Sequence, residues 1–454
     1  MNVVVIGTGY VGLTTGVSLA YLGHHVTCLD TNSEKINKLK KAEIPFYEPF
    51  LLDLLKLSWE NLTFTDSYDE AGIDKSDVVF IAVGTPSKED GSADMQFVQS
   101  AAEQIGQRIN CKFTVIVNKS TVPIGSGKWV QSVIRNHYSN EISNGSKPFA
   151  VVSNPEFLRQ GTAVYDTFFP DRIVIGSDEY NAIERLQNLY RPLLERDFPS
   201  LPFWDDNGTK HSVEWLVCDL ASAEMIKYSA NAFLALKISY INEIAKLASE
   251  VGADVKEIAR GIGLDKRIGS QFLKAGIGWG GSCFGKDTAA LVSIGKEYGI
   301  EMPIVSAARK VNYEQRSWII DKLLSELGNL EGKVIVLLGA SFKPNTDDLR
   351  EAPSIEIAKA LLSLGAQVNI VDPVALPNVQ RCYPNLKLNY FDNPIDALPN
   401  SDAVVLVTEW NQFLRIDWEK AKIIMKSPII IDGRNVLDRE ELKDLDFKFF
   451  GIGR

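Results

Sequence analysis

The residues best suited to covalent chemistry stand in one glycine-rich stretch, GIGWGGSCFGKD at 276–287. The pattern predicts Ser282 as the N-cap of a helix running through Ala289, Ala290 and Leu291. That places Cys283 in its first turn and Asp287 one turn further on the same face. A thiol there is shifted toward thiolate by the helix dipole, and Lys286 lies nearby. A nucleophile and a carboxylate able to handle protons then stand side by side. Cys28, Cys111, Cys218 and Cys382 read instead as small buried hydrophobes, the usual state of this residue. Cys283 differs because four of the six residues 276–281 are glycines, which suit close approach of a ligand better than filling of a core.

A second constellation lies at the N-terminus. The first apolar run ends in GTGYVG, with Gly7, Gly9 and Gly12, and an apolar helical pattern follows up to Gly23. A tight turn, close backbone approach to a pyrophosphate and tight helix–strand packing each require a residue without Cβ, and the helix N-terminus then faces the phosphates. The next strand ends at Asp30, the spacing at which a carboxylate meets the adenosine ribose hydroxyls. This favours NAD over NADP, whose 2′-phosphate a carboxylate repels. Thr85-Pro86 and Ser120-Thr121-Val122-Pro123 close two more strands on the same edge and are expected to line the cofactor crevice.

These residues need a scaffold of several domains, since 454 residues exceed a single compact core. Short β-branched runs alternate with amphipathic stretches at Val3–Ile6, Val26–Leu29, Val78–Val83, Thr114–Val117, Val151–Ser153 and Ile173–Ile175, which predicts a parallel sheet covered on both faces. From about Cys218 to Glu250 the sequence reads as one long helix without Gly or Pro, followed by Gly-punctuated helical sequence to about residue 330. A second strand–helix series starts at Val334–Leu338 and continues through Val368–Val371, Ala403–Val407 and Ile429–Ile431. The fold class expected is therefore α/β: two doubly wound Rossmann-like domains, 1–212 and 331–454, joined by a long central helix and a helical middle domain, 213–330. The stretch 197–214 has turn formers and no period, and reads as an excursion or linker.

Composition narrows the class of function. Hydrophobic residues at 45% and charged residues at 23% favour neither disorder nor a membrane protein. The apolar runs near the N-terminus break at Gly23 and His24, so neither a signal peptide nor a transmembrane helix is expected. Five scattered cysteines without CxxC or clustered His argue against a disulfide framework or a metal site and fit a reducing, cytoplasmic setting. A net charge of −10 argues against a general nucleic-acid binder. On the long helix, Glu224, Lys227, Asn231 and Asn242 fall in one narrow sector. Such residues normally form a solvated face, yet here the last three interrupt a largely apolar helix, so a polar seam facing a cleft is the rival reading.

Together these segments resemble the UDP-glucose 6-dehydrogenase branch of the UDP-glucose/GDP-mannose dehydrogenase family. The resemblance is carried by GTGYVG at 7–12, VGTP at 83–86, KSTVPIGSG at 119–127, NPEFL at 154–158, EMIKYSANAFLALKISYINE at 224–243, RIGSQFLKAGIGWGGSCFGKD at 267–287, FKPNTDDLREAP at 342–353 and DGR at 432–434. It implies two successive NAD-dependent oxidations of UDP-glucose at one site, through a thiohemiacetal and a thioester on Cys283. Lys227 is then expected to stabilise oxyanion charge, assisted by Asn231, while Asp287 and Glu156 are candidates for proton transfer and water activation and Thr121 for holding that water.

By the same resemblance the cofactor would lie on Gly7, Gly9, Tyr10, Val11, Gly12, Asp30, Lys35, Thr85, Pro86, Thr121, Lys286 and Arg350. The sugar nucleotide would meet Glu156, Phe157, Leu158, Arg159, Gln160, Lys227, Asn231, Phe272, Leu273, Lys274, Ala275, Gly276, Gly280, Lys343 and Arg434, with Arg267 reaching in from a neighbouring subunit of a homodimer or an even-numbered assembly of dimers. Lys343 and Arg434 suit the diphosphate. The second sheet has GASFKP after its first strand in place of GxGxxG, consistent with binding UDP rather than a second NAD.

Two features depart from the family pattern: Gln160 stands where an acidic residue is common, and the connection around 200–214 is longer. Ser282 speaks against the UDP-N-acetylhexosamine branch, which usually carries His before the cysteine, and the GDP-mannose branch is the runner-up. A two-electron 3-hydroxyacid or 6-phosphogluconate dehydrogenase shares the Rossmann opening but needs neither Cys283 nor a third domain. A non-catalytic NAD-binding scaffold is disfavoured, because every catalytic residue the resemblance calls for is present.

Overall fold

Residues 1–110, 112–138, 148–204 and 212–454 are described by a computed structural model. Cys111 and the stretch 205–211 lie outside them. The chain divides into two compact units, Met1–Ser229 and Ala230–Arg454.

The first unit is built on eight strands: β1 (Asn2–Ile6), β2 (His25–Leu29), β3 (Leu62–Thr65), β4 (Val78–Ile81), β5 (Thr114–Asn118), β6 (Phe149–Ser153), β7 (Arg172–Gly176) and β8 (Glu214–Cys218). Their order is β3-β2-β1-β4-β5-β6-β7-β8. The strands through β6 are parallel, β7 meets β6 antiparallel, and β8 runs parallel to β7. The sheet is therefore mixed at one edge, not wholly parallel as the apolar runs predict. Every residue of β4, β5 and β6 is buried, which is why these segments are continuously apolar and show no alternation. Helix α1 (Tyr10–Tyr21) is buried from Gly12 to Ala20, and a Cβ on Gly16 would come within 2.5 Å of Cys28 Sγ, so helix and β2 touch backbone to side chain. Cys28 is thus a packing residue, whereas Cys382 is exposed and Cys218 only half-buried, contrary to the reading of all four as buried hydrophobes.

Helices α2 (Ser126–His137), α3 (Ala163–Phe168) and α4 (Tyr180–Glu195) complete the frame of this unit's site. Part of the 197–214 stretch is structured. Leu201 is buried, and Phe203 and Trp204 pack on Phe50, with ring centroids 4.9 and 5.1 Å away. Phe50 itself has a left-handed backbone, φ 63°.

Helix α5 (Leu220–Val251) spans 32 residues, about 48 Å at 1.5 Å per residue, and the division between the units falls inside it. In the second unit six parallel strands, β9 (Val334–Leu338), β10 (Gln367–Val371), β11 (Leu388–Phe391), β12 (Ala403–Leu406), β13 (Ile429–Asp432) and β14 (Lys448–Gly451), follow the order β11-β10-β9-β12-β13-β14. Ile241, Ala245 and Ala248 of α5 share one hydrophobic core with Ile335, Leu337 and Val405 of this sheet. Both units are Rossmann-like α/β structures. Among the described residues no helix is long and apolar enough to cross a membrane.

Candidate active site

In the first unit the turn between β1 and α1 has the shape a dinucleotide requires. Gly7 has φ +100°, and a Cβ there would lie 2.5 Å from the Ala82 carbonyl; one on Gly12 would run into the Gly7 carbonyl. Gly9 is different: a Cβ would meet nothing within 4 Å. It occupies the N-cap of α1 without a side-chain cap, the form of helix start that receives a pyrophosphate in dinucleotide-binding turns. Asp30, just past β2, accepts from Thr8 N (2.9 Å) and Thr8 Oγ1 (2.8 Å) on one oxygen and from Asn32 N (3.0 Å) on the other, with Lys35 Nζ at 3.5 Å. Burial opposes its ionisation, but these donors and Lys35 outweigh burial and hold the carboxyl below the usual range. Thr85 Oγ1 donates to the Thr121 carbonyl (2.8 Å), tying the loops after β4 and β5 together beside Pro86.

Beyond β6, Glu156 is buried. Its Oε1 accepts from Lys227 Nζ at 2.9 Å and its Oε2 from Leu158 N at 2.6 Å. Burial works against the carboxylate; the Lys227 ammonium, the Leu158 amide and Lys119 reverse that and hold its pKa down. The Phe157 ring lies 4.0 Å from the Arg172 guanidinium carbon and 5.5 Å from Lys227 Nζ. Arg159 turns to the following helix α3, in a two-pronged pair with Asp166. Gln160, in the same loop, is half-buried.

In the second unit Cys283 is itself the N-cap of helix α6 (Phe284–Glu297), one residue later than the sequence pattern predicts. The backbone amide of Asp287 donates to the Cys283 carbonyl at 2.8 Å, so the two residues are one helical turn apart as expected. Ser282 Oγ lies 3.6 Å from Cys283 Sγ. The Asp287 carboxylate, 1% exposed, accepts from Asn231 Nδ2 (2.6 Å) on Oδ2 and from Lys286 Nζ (2.7 Å) on Oδ1. Asn242 Oδ1 accepts from Gly276 N (2.8 Å), which holds the glycine loop against α5. Gly276 and Gly280 have no room for a Cβ, being backed by the Gly433 and Glu351 carbonyls. Leu273 and Ala275 are buried, Phe272 has φ 64°, and Lys274 is exposed.

Other predicted positions are placed differently. Arg434 donates to the carbonyls of Val407 (2.7 Å), Gly278 (3.2 Å) and Phe342 (3.1 Å), and so braces the glycine loop against the second sheet. Arg350 forms a fork with Asp348, and Lys343 lies 5.6 Å from the Phe342 ring. Arg267 is exposed, pairs with Asp265, and joins neither cluster. The second sheet ties its first turn to an aspartate as the first sheet does. Gly339 again has positive φ, and Asp372 accepts from Ala340 N, Ser341 N, Ser341 Oγ and Trp410 Nε1 on one oxygen and from Val374 N and Ala375 N on the other.

The solvated-face reading of α5 fails: Glu224, Lys227, Asn231 and Asn242 are all buried. Glu224 accepts from Gly125 N (2.6 Å) and Gly127 N (2.8 Å), capping α2; burial raises its pKa against those bonds. Residues missed by sequence reasoning are Thr8, which orients Asp30, and Lys119, which reaches the Glu156 region. A lysine directly after the buried strand β5 was the available signal for the second.

Comparison with known proteins agrees with this arrangement. Residues 1–194 match the NAD binding domain of the UDP-glucose/GDP-mannose dehydrogenase family, residues 221–314 its central domain and residues 336–439 its UDP binding domain. The chain is 43% identical over 456 residues to the UDP-glucose 6-dehydrogenase YwqF of Bacillus subtilis, covering 100% of this chain and 98% of that one. It is 44% identical to a UDP-glucose 6-dehydrogenase of Rickettsia bellii, at 100% and 99% coverage. A UDP-glucose dehydrogenase structure from Pyrobaculum islandicum superposes with a TM-score of 0.88 at 35% identity, covering 100% of this chain and 97% of that one. With an NAD turn in one Rossmann-like unit, a glycine-flanked cysteine in the other and family models matched along most of its length, the chain belongs to the UDP-glucose/GDP-mannose dehydrogenase family.

Proposed function

We propose that this chain is a UDP-glucose 6-dehydrogenase, which oxidises the C6 alcohol of UDP-glucose to the carboxylate of UDP-glucuronate. The observation that carries the reading is Cys283 at the start of α6 with a doubly hydrogen-bonded, buried Asp287 one turn behind it. Bound NAD supplies a hydride acceptor for each of the two oxidations. The chain's own groups do the rest. The Cys283 sulfur adds to the C6 aldehyde carbon, and the aldehyde oxygen takes a proton to give a thiohemiacetal, which keeps the aldehyde from escaping and presents a C–H bond for the second oxidation. In the resulting thioester, water adds to the carbonyl carbon, the C–S bond breaks, and the sulfur leaves as thiolate. Lys227 and Asn231 stabilise oxyanion charge, and Asp287, Glu156 and Thr121 serve proton transfer and water positioning.

The sugar nucleotide is assigned to the loops at 156–160 and 272–280 and to Lys343 and Arg434. The three-domain division at 212 and 330 and a cytoplasmic, metal-free enzyme complete this reading. We infer a homodimer formed through α5. Phe233, Tyr240 and Leu247, spaced by seven residues, are 61%, 50% and 60% exposed, an apolar stripe that a second copy would cover.

The deciding experiment offers the pure protein NAD with UDP-glucose, GDP-mannose and UDP-N-acetyl sugars while NADH is followed. UDP-glucose should give two NADH per sugar and the highest kcat/KM. A higher kcat/KM for GDP-mannose overturns the assignment.

A further inference from the structure

Helix α7 (Pro303–Gln315), with Arg316 at its C-terminal end, turns Arg309, Asn312 and Arg316 to the backbone of the cysteine segment. Spaced by three and four residues, the three side chains share one face. Asn312 is fully buried. Its Oδ1 accepts from Trp279 N (2.7 Å) and its Nδ2 donates to the Trp279 carbonyl (3.0 Å), so the amide pairs with that residue's backbone much as a neighbouring strand would. Arg316 Nη2 donates to the same carbonyl (3.2 Å). Arg309 Nη1 donates to the Gly285 carbonyl (2.6 Å) and to Thr288 Oγ1 (2.8 Å). Gly278 has φ +89°, and a Cβ there would lie 2.5 Å from Asn312 Oδ1, so this approach of Asn312 requires glycine.

Trp279 precedes Cys283 by four residues and Gly285 follows it by two. Both ends of the arc that carries the sulfur are therefore tied to one helix. The arc also closes on itself, the Trp279 and Phe284 rings meeting edge to face at 6.0 Å and 90°. Asn312, Trp279 and Arg316 are 0%, 5% and 5% exposed, so water competes little for these bonds. A glycine-rich arc has little stiffness of its own. We propose that Asn312 and Arg309 are positioning residues for Cys283, which act through the backbone at Trp279 and Gly285 to hold its sulfur in line with the C6 carbon. This rests on the reading of Cys283 as the nucleophile. Addition to a carbonyl needs the reacting atoms about 3–3.5 Å apart and aligned, and a displacement of about 1 Å costs on the order of 100-fold in rate.

Three variants test the clamp. Asn312→Leu keeps the branched shape and removes both bonds, Arg309→Met removes the bonds to Gly285 and Thr288, and Arg309→Lys keeps a donor. With UDP-glucose and NAD, kcat should fall about 10- to 100-fold in the Leu and Met variants while KM for NAD stays at the wild-type value, and Arg309→Lys should recover most of the loss. Amide exchange read by mass spectrometry should quicken roughly 10-fold in peptides covering 276–290 and stay unchanged in β9 and β12, a local loosening that a general loss of stability does not produce. Three results overturn the proposal: wild-type kcat in both the Leu and Met variants, a raised KM for UDP-glucose at unchanged kcat, or exchange that quickens in β9 and β12 as much as at 276–290. If Asn312→Leu fails to fold, the Arg309 variants decide by the same measures, and equal kcat in Met and Lys overturns it. Should the wild-type protein oxidise no sugar nucleotide, the function reading fails, and exchange then decides the clamp alone: quickened only at 276–290 it stands, unchanged there it falls.

Discussion

Asn231 Nδ2 donates to Asp287 Oδ2 at 2.6 Å, and Asp287 follows the Cys283 N-cap by one turn of α6. A side chain of α5 thereby holds the carboxylate that stands behind the proposed nucleophile. Cys283→Ala removes the sulfur and leaves this bond intact, so binding of NAD and sugar should survive while UDP-glucuronate formation falls by orders of magnitude; losses of about a million-fold are known for nucleophile removal elsewhere. Mass spectrometry of wild-type protein quenched in turnover should find the sugar-nucleotide adduct on the Cys283 peptide. Near-normal acid production by the Ala variant, at two NADH per sugar, would falsify covalent capture.

Asn231→Ala leaves Asp287 buried with Lys286 as its remaining side-chain donor. Loss of a hydrogen bond to a buried charged group costs about 1.5–3 kcal/mol, which denaturant unfolding should register as a lower midpoint with an unchanged m-value. An unchanged midpoint would mean that the bond contributes nothing to the folded state.

Lys227→Met leaves buried Glu156 without its ion-pair partner, with the Leu158 amide and Lys119 still opposing its desolvation, and should destabilise the protein by up to about 3–5 kcal/mol at neutral pH. The pH dependence has a definite sign. The folded pKa of Glu156 lies below its unfolded value, so the stability it contributes is present above the unfolded pKa of about 4.3 and is lost as pH falls through the folded one. In the Met variant protonation relieves that buried charge. The stability gap between variant and wild type should therefore be widest near pH 7 and narrow in acid; a gap constant from pH 7 to pH 3 contradicts the ion-pair account.

Asp30→Ala removes the acceptor of Thr8 N and Thr8 Oγ1 as well as the proposed ribose contact. NAD affinity should fall and discrimination against NADP should relax, both measurable by titration. Unchanged NAD affinity would remove Asp30 from the site.

The α5 stripe carries the assembly reading. Phe233→Glu combined with Tyr240→Glu should shift the protein from dimer to monomer in sedimentation velocity and raise KM for the sugar nucleotide, as should Arg267→Ala without any change of mass. A fully active wild-type monomer at assay concentration would end the idea.

How far the sequence could be read follows from the physics of each element. Turns with a covalent requirement for glycine, such as Gly7 and Gly12, and strands buried on both faces, such as β4 and β5, declare themselves locally. The strands β3, β8, β11 and β14 are no shorter than β4 or β12, but β3 and β11 interleave polar with apolar residues, β14 has just two apolar residues in a row, and the apolar run of β8 leads straight into the long helix, so none declares itself as a strand. The polar seam of α5 was visible, but its burial was not, because the partners of Lys227 and Asn231 lie 71 and 56 residues away in sequence. Arg434 and Arg350 show the opposite limit. Charge and strand-end placement suggest a diphosphate contact for Arg434 and a cofactor contact for Arg350, but they do not disclose the partners within the chain: three carbonyls and Glu409 for Arg434, and Asp348 for Arg350.

Phe50 has a consequence for how this chain can vary. Its left-handed backbone is strained for a side chain of its size, by roughly 1–2 kcal/mol, and the stack on Phe203 and Trp204 offsets that strain. Glycine at position 50 relaxes the backbone and leaves the two aromatic rings without a platform; loss of Phe203 leaves the strain without compensation. Each single step is therefore unfavourable where the paired change is not. Across relatives, phenylalanine at this turn and the aromatic segment at 201–204 should be inherited or lost together, so that residue 50 reports whether a lineage carries that segment.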